Sequence, residues 1–191
     1  MSQGTITLVP VGGLANRMKA IDAAYHLAKT CQSQLRVIWF KDQGLNCRFD
    51  QLFQHPTDSI ITIQEARPCD LLLEDRPRKK NFFLPWLPEH LKYDACIYER
   101  QATLLFYDHF DYAAWAKGRK VYLASCVYFY PQPDNKLFKL FKPIASLQQQ
   151  IDACSEHFNE HTIGIHIRRT DNIASITQSP TELFIKQMEE F

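Results

Sequence analysis

Residues 5–40 decide the fold: TITLVPV at 5–11, GGLANRM at 12–18 and LRVIWF at 35–40. The first segment is short and β-rich. The adjacent Gly12 and Gly13 then mark a turn. From there Leu14, Met18, Ile21, Tyr25 and Ala28 recur at spacings of four, three, four and three, which is one face of a helix. Leu35 to Phe40 is a second run of β formers bounded by polar residues. Strand, glycine turn, helix and strand make a βαβ unit, whose two strands run parallel. The predicted class is α/β, a Rossmann-like parallel sheet with flanking helices.

Further along, Ser59–Ile63 and Arg119–Cys126 predict two more strands. Leu71 to Pro88 carries Arg76, Arg78, Lys79, Lys80 and several prolines, and is read as a solvated loop. Tyr93 to Lys117 is aromatic-rich and partly helical. Tyr128, Phe129 and Tyr130 are read as core. Pro131–Pro143 is a connection around a short helix (NKLFKLF). Ile144–Phe158 follows as a helix with Ile144, Leu147, Ile151 and Cys154 on one side. Thr162–Ile167 alternates like a strand. Ser179, Pro180 and Glu182 carry a helix-start signature: an N-cap, a proline at the first helical position and capping-box spacing.

This pattern divides the chain into an α/β domain over 1–143 and a linker helix with the first strand and helix of a second domain over 144–191. One strand and one helix cannot build their own core. Either they complete the first sheet, or the remainder of a second domain is expected beyond residue 191.

Composition narrows the function. The chain has 191 residues, 46% hydrophobic and 23% charged, which suits a globular protein and excludes disorder as its main state. Lys and Arg total 22 and Asp and Glu total 21, a net charge of +1, so a broad nucleic-acid face is excluded. No apolar run is long enough to cross a bilayer, and the first residues lack a signal-peptide pattern. A cytoplasmic location is expected. The six cysteines are far apart and form no CxxC, which predicts reduced, mostly buried thiols and no structural zinc site. His157 and His161 are read as solvated, so no metal is expected.

Two places carry chemistry. The first is Gly12-Gly13-Leu14-Ala15-Asn16-Arg17, at the carboxyl end of the first strand. Ligands of open α/β sheets sit at that edge. Helix-start N–H groups favour an anion there, and Asn16 and Arg17 add donors. The G-x-G-x-x-G and GxxxxGK[ST] patterns are absent, which disfavours a nicotinamide site or a P-loop. A plain tight turn is the competing reading. The second place is Ile163–Asn172 (IGIHIRRTDN), where His166, Arg168, Arg169 and Asp171 crowd a strand end. Asp171 can hold one guanidinium while the other presents a bidentate fork to a phosphate. A structural Arg–Asp pair is the alternative.

IGIHIRRTD, followed by a loop and a Pro-started helix, resembles the donor-site motif of GDP-fucose fucosyltransferases. The likeness is greatest to the α1,6-fucosyltransferases, with a looser form in the α1,2- and protein O-fucosyltransferases. GGLANRM resembles the element those families place after their first strand. Together the motifs cover the first 40 residues and the last 30 or so. The resemblance implies a two-domain GT-B glycosyltransferase, this chain being its N-terminal portion. It implies inverting, metal-independent transfer of fucose from GDP-fucose to an oligosaccharide or polysaccharide hydroxyl. Carried over residue by residue, Arg168 is the catalytic contact to the donor diphosphate. Arg169 and Asp171 support it, His166 lines the donor pocket, and Gly12, Gly13, Asn16 and Arg17 approach the donor from the first domain. No cofactor is implied beyond the GDP-sugar donor.

Residues 172–178 contain no carboxylate, whereas core-fucosylating enzymes place their general base soon after this motif. The base then comes from elsewhere, and Asp22, Asp42, Glu65 and Asp75 are not ranked by sequence. The alternatives are a non-catalytic binding module that self-associates through an exposed domain face, and an unrelated phosphate-binding enzyme built on the Gly12-Gly13 turn.

Overall fold

The computed structural model describes residues 4–42, 44–72, 91–131, 140–165, 177–178 and 180–190. They form two compact units, 1–150 and 151–191. In the first, β1 (Thr5–Pro10) leads into α1 (Leu14–Cys31), then β2 (Gln34–Trp39) and β3 (Ile61–Glu65). Next come β4 (Ala95–Ile97), α2 (Glu99–Tyr107), α3 (Tyr112–Ala116) and β5 (Lys120–Ser125). Helix α4 (Ala145–Ser155) runs across the division between the units.

The strands pair in the order β3-β2-β1-β5-β4, all parallel. Thr5 pairs with both Gln34 and Lys120, so β1 lies in the middle of the sheet. The reason is visible in its side chains. Ile6 and Leu8 are fully buried in a core shared with Met18, Ile21 and Ala24 of α1. Val9, on the opposite face, joins a second cluster with Ile38, Phe40 and Tyr122. Thr7 is buried as well, so β1 is covered on both faces, as is usual for a parallel sheet. Helix α1 fits closely because Ala20, Ala23, Ala24 and Ala28 bring its backbone near the sheet. It ends at Gln32, which takes the left-handed conformation (φ 51°), while Ser33 N–H donates to Ala28 O at 2.9 Å.

The observed elements depart from the sequence reading in several places. The third strand begins at Ile61, two residues after the predicted Ser59, because Asp58 caps the approach: its side chain accepts from Ile60 N–H at 3.0 Å. A three-residue strand, β4, lies inside the aromatic-rich segment. Thr162–Ile165 form no strand, and Ile163 and Ile165 are 58% and 42% exposed; among the described residues nothing pairs with them. The helix expected over Ile144–Phe158 is present as α4 over Ala145–Ser155, and it buries no residue. In the second unit, α5 (Thr181–Glu189) starts one residue later than expected. Pro180 stands at the N-cap with ψ 158°, and Leu183 N–H donates to its carbonyl. None of the cysteines is buried: four are half-buried and Cys69 and Cys154 are exposed, all as free thiols. Phe129 does join the core, its ring 4.9 Å from that of Tyr112. The basic cluster at 76–80 and most of NKLFKLF lie outside the described residues. Among the described residues no helix is long and apolar enough to cross a membrane.

Candidate functional site

The strand order reverses at β1. The chain goes from β1 to β2 on one side, and β5 returns on the other. In an open parallel sheet a crevice forms outside the carboxyl ends at such a reversal. The residues that occupy that position here are Val11, Gly12 and Gly13. Val11 N–H donates to Ser125 O at 2.9 Å, which ties the turn to the end of β5. Gly12 has φ +89°, a conformation that penalises any residue with a Cβ. Gly13 is the N-cap of α1 and no side chain caps it. A Cβ built on Gly13 would meet nothing within 4 Å, so this backbone faces open space. Asn16, one turn into α1, is exposed beside it.

Arg17 stands on the inner side of the same turn. Its side chain is fully buried, and its guanidinium reaches three partners. Nε donates to Gly12 O at 2.7 Å, Nη1 to Phe40 O at 2.5 Å and Nη2 to Asp42 Oδ1 at 2.7 Å. The guanidinium also lies 5.0 Å from the Trp39 ring centroid, a cation–π distance. A charge can be buried when paired and hydrogen-bonded in this way. Asp42 is itself held, accepting from Gly44 N–H at 2.7 Å and Leu45 N–H at 3.2 Å. Gly44 lets the two loops approach closely: a Cβ there would sit 3.1 Å from Gly12 O, a tight contact. Arg17 therefore fastens the loop after β1 to the loop after β2. It is a positioning residue for the glycine turn.

Of the predicted site residues, the structure brings Gly12, Gly13, Asn16 and Arg17 together at the sheet edge. His166, Arg168, Arg169 and Asp171 lie outside the described residues. The acids proposed as bases are scattered. Asp42 is engaged by Arg17. Glu65, at the carboxyl end of β3, accepts from Phe49 N–H at 2.7 Å. Asp22 is buried in α1, away from the turn. Asp75 is outside the described residues. Sequence reasoning missed Glu99 and Cys126, which follow β4 and β5 at the same carboxyl edge. Burial, with the neighbouring Glu99 next in weight, pushes the Cys126 thiol up to about 11. Only recognition of the three-residue β4 would have placed Glu99 there. Among the described residues no three His, Cys, Asp or Glu side chains converge as metal ligands.

No family profile matches the sequence, and no curated protein matches it. Solved structures do match. The crystal structure of NodZ α-1,6-fucosyltransferase soaked with GDP-fucose aligns over 100% of this chain and 67% of its own, with TM-score 0.58 and 14% identity. The structure of fucosyltransferase NodZ from Bradyrhizobium aligns over 100% and 68%, with TM-score 0.60 and 15% identity. The fold is fucosyltransferase-like. At such low identity the shared feature is the architecture, a Rossmann-like parallel sheet as in GT-B enzymes.

Proposed function

We propose that this chain serves the transfer of fucose from GDP-fucose to a hydroxyl of a glycan acceptor, with inversion at the anomeric carbon and without a metal ion. The observation that carries the reading is the glycine turn. It lies at the point of strand reversal in a fucosyltransferase-like sheet, with its backbone facing open space. The IGIHIRRTDN segment supplies the matching anion chemistry.

In this reaction the acceptor oxygen attacks the anomeric carbon as the bond to the diphosphate oxygen breaks. Negative charge grows on the departing GDP, and the acceptor proton passes to a base. Arg168 stabilises the growing charge with a bidentate fork, which is electrostatic preorganisation. Arg169 and Asp171 hold that fork, and His166 lines the donor pocket. Gly12, Gly13 and Asn16 meet the donor from the sheet edge, and Arg17 keeps their loop in place. The acceptor is an oligosaccharide or polysaccharide.

Thermal unfolding with GDP, GDP-fucose, UDP and ATP tests the reading. Ligand at 100 times its dissociation constant adds about 2.7 kcal/mol, a rise of roughly 5–10 °C for a domain of this size. The expected result is a rise with GDP and GDP-fucose that Arg168→Ala abolishes. A folded protein whose melting point moves with none of the four, or with ATP and UDP equally, refutes it.

A further inference from the structure

A cavity of 310 Å³ lies against the flank of α1, away from the glycine turn, and no step of the proposed transfer uses it. Its walls come from three segments: α1, the stretch 54–58 before β3, and the stretch 140–142. Asp22 is part of the wall and only 2% exposed. Its Oδ2 has no hydrogen-bond partner among the described residues, and Oδ1 has His26 Nε2 at 3.9 Å. In the same lining, Tyr25 O–H donates to Asp58 Oδ2 at 2.6 Å, and Lys29 Nζ is 3.9 Å from the same oxygen.

Size and charge select the ligand. Small-molecule pockets run from about 300 to 1,000 Å³, so this one holds a single ring and not a nucleotide sugar. His26 neighbours Asp22 and Lys29 neighbours Asp58. An anion would meet two carboxyl groups and a cation would meet Lys29. A ring bearing hydroxyls fits better, because each hydroxyl both donates and accepts. The buried Asp22 oxygen lacks a donor, and leaving such an acceptor unpaired is costly. Pro56 and Leu140 supply apolar wall for the carbon face of a ring.

We infer that this cavity is a second saccharide site, taking one neutral sugar ring of a glycan through hydrogen bonds centred on Asp22. Asp22 lies eight residues beyond Leu14, the first residue of α1, which is about 12 Å along the helix. The ring held here is therefore a different unit from the one that reacts at the sheet edge. The choice of a glycan rests on the transferase reading; the cavity and its unpaired acid do not. Burial raises the Asp22 carboxyl to about 7, so near neutral pH it is available both as an O–H donor and as an acceptor.

The test is an amide NMR titration of the full chain with glucose, galactose and N-acetylglucosamine separately, to tens of millimolar, and with GDP and inorganic phosphate in parallel. The expected result is saturable shifts at Asp22–Lys29 and Gln54–Asp58 with at least one sugar. Asp22→Ala should weaken that binding about tenfold or more, and Lys142→Ala, an exposed change at the rim, severalfold. Should Asp22→Ala fail to fold, the wild-type shift map and Lys142→Ala decide the matter. Sugar shifts without GDP shifts at Gly12–Asn16 would uphold this site and count against the donor site. GDP shifts with no sugar shifts overturn the saccharide site alone. Shifts of the cavity amides by phosphate and by no sugar overturn it in favour of an anion.

Discussion

Asp22→Asn is the most informative single change in α1. Asp22 is 2% exposed and its Oδ2 has no hydrogen-bond partner among the described residues, and desolvation raises its carboxyl to about 7 from an ordinary 3.8. The sign follows from proton binding in the two states. Below pH 3.8 the acid is protonated whether the chain is folded or not, and it carries no penalty. Between 3.8 and 7 the folded chain retains a proton that the unfolded chain has lost, so stability falls as pH rises. Above 7 both states are ionised and the whole penalty applies. A change from 3.8 to about 7 corresponds to about 4 kcal/mol. Asparagine has the same shape and never ionises. The variant should match the wild type near pH 4 and exceed it by up to about 4 kcal/mol at pH 8, of order 10 °C in melting temperature.

The assay is paired thermal unfolding across pH 4–8.5 in one buffer system. His26, Lys29, His55, Asp58 and Lys142 line the same cavity. They are common to both proteins, so the difference between the curves reports on Asp22. A difference that stays flat with pH would show the carboxyl to be as well solvated as a surface acid. A variant less stable at pH 8 would show that the carboxylate accepts hydrogen bonds which asparagine cannot replace. Either outcome refutes the reasoning.

Arg17→Ala should cost about 3–5 kcal/mol in urea unfolding, because it strands a carboxylate and two carbonyls. A loss under about 1 kcal/mol would refute the lock, and Arg17→Lys should recover only part of it, lacking the fork. Gly12→Ala should destabilise by about 1–2 kcal/mol from its positive φ. Gly13→Ala, whose Cβ would meet nothing within 4 Å, should leave the urea midpoint unchanged and weaken GDP binding if the donor approaches that backbone; a stability loss equal to that of Gly12→Ala would contradict the geometry. In thiol labelling at pH 8, the exposed Cys69 and Cys154 should react first. Cys126, held up to about 11, and Cys31, raised chiefly by burial, should react slowly. Equal rates for Cys126 and Cys69 would refute the assigned environment.

The βαβ opening was legible because its signals agree at every level: β formers, two glycines, a four-three apolar period and a second apolar run. Strand β4 was not legible. Three residues, Ala95–Ile97, give too short a window for alternation to register, and only pairing with β5 makes them a strand. The stripe over Ile144–Cys154 was legible as a helix, which runs over Ala145–Ser155, and no residue of that helix is buried. Periodicity reports a helix with an apolar side; it does not report that anything covers that side. For the candidate site, the glycine pair lies where the sequence put it, after β1 at the carboxyl edge of the sheet, while the inward direction of Arg17 passed unnoticed. It could have been read. Positions 17, 21, 24 and 28 follow the same four-three-four spacing as the apolar stripe, so Arg17 falls on the face of Ile21, Ala24 and Ala28, all fully buried.

The same spacing puts Asp22 with Met18 and Tyr25, so α1 carries two charged-type residues on its buried side, and they are treated in opposite ways. Arg17 is given an acid, two carbonyls and an aromatic face, and in return fixes the turn at the sheet edge. Its burial is explained by the fold alone. Asp22 is given a histidine at 3.9 Å and leaves one oxygen unpaired. Its burial weakens the fold at neutral pH, and an asparagine, leucine or methionine in α1 would avoid that. A residue that breaks the burial rule without compensation inside the fold directs attention to function, since such violations concentrate where a protein binds or reacts. Asp22 borders a cavity of 310 Å³, and Arg17 is not among that cavity's lining residues. The contrast within one helix separates a charge buried for architecture from an acid retained for a ligand.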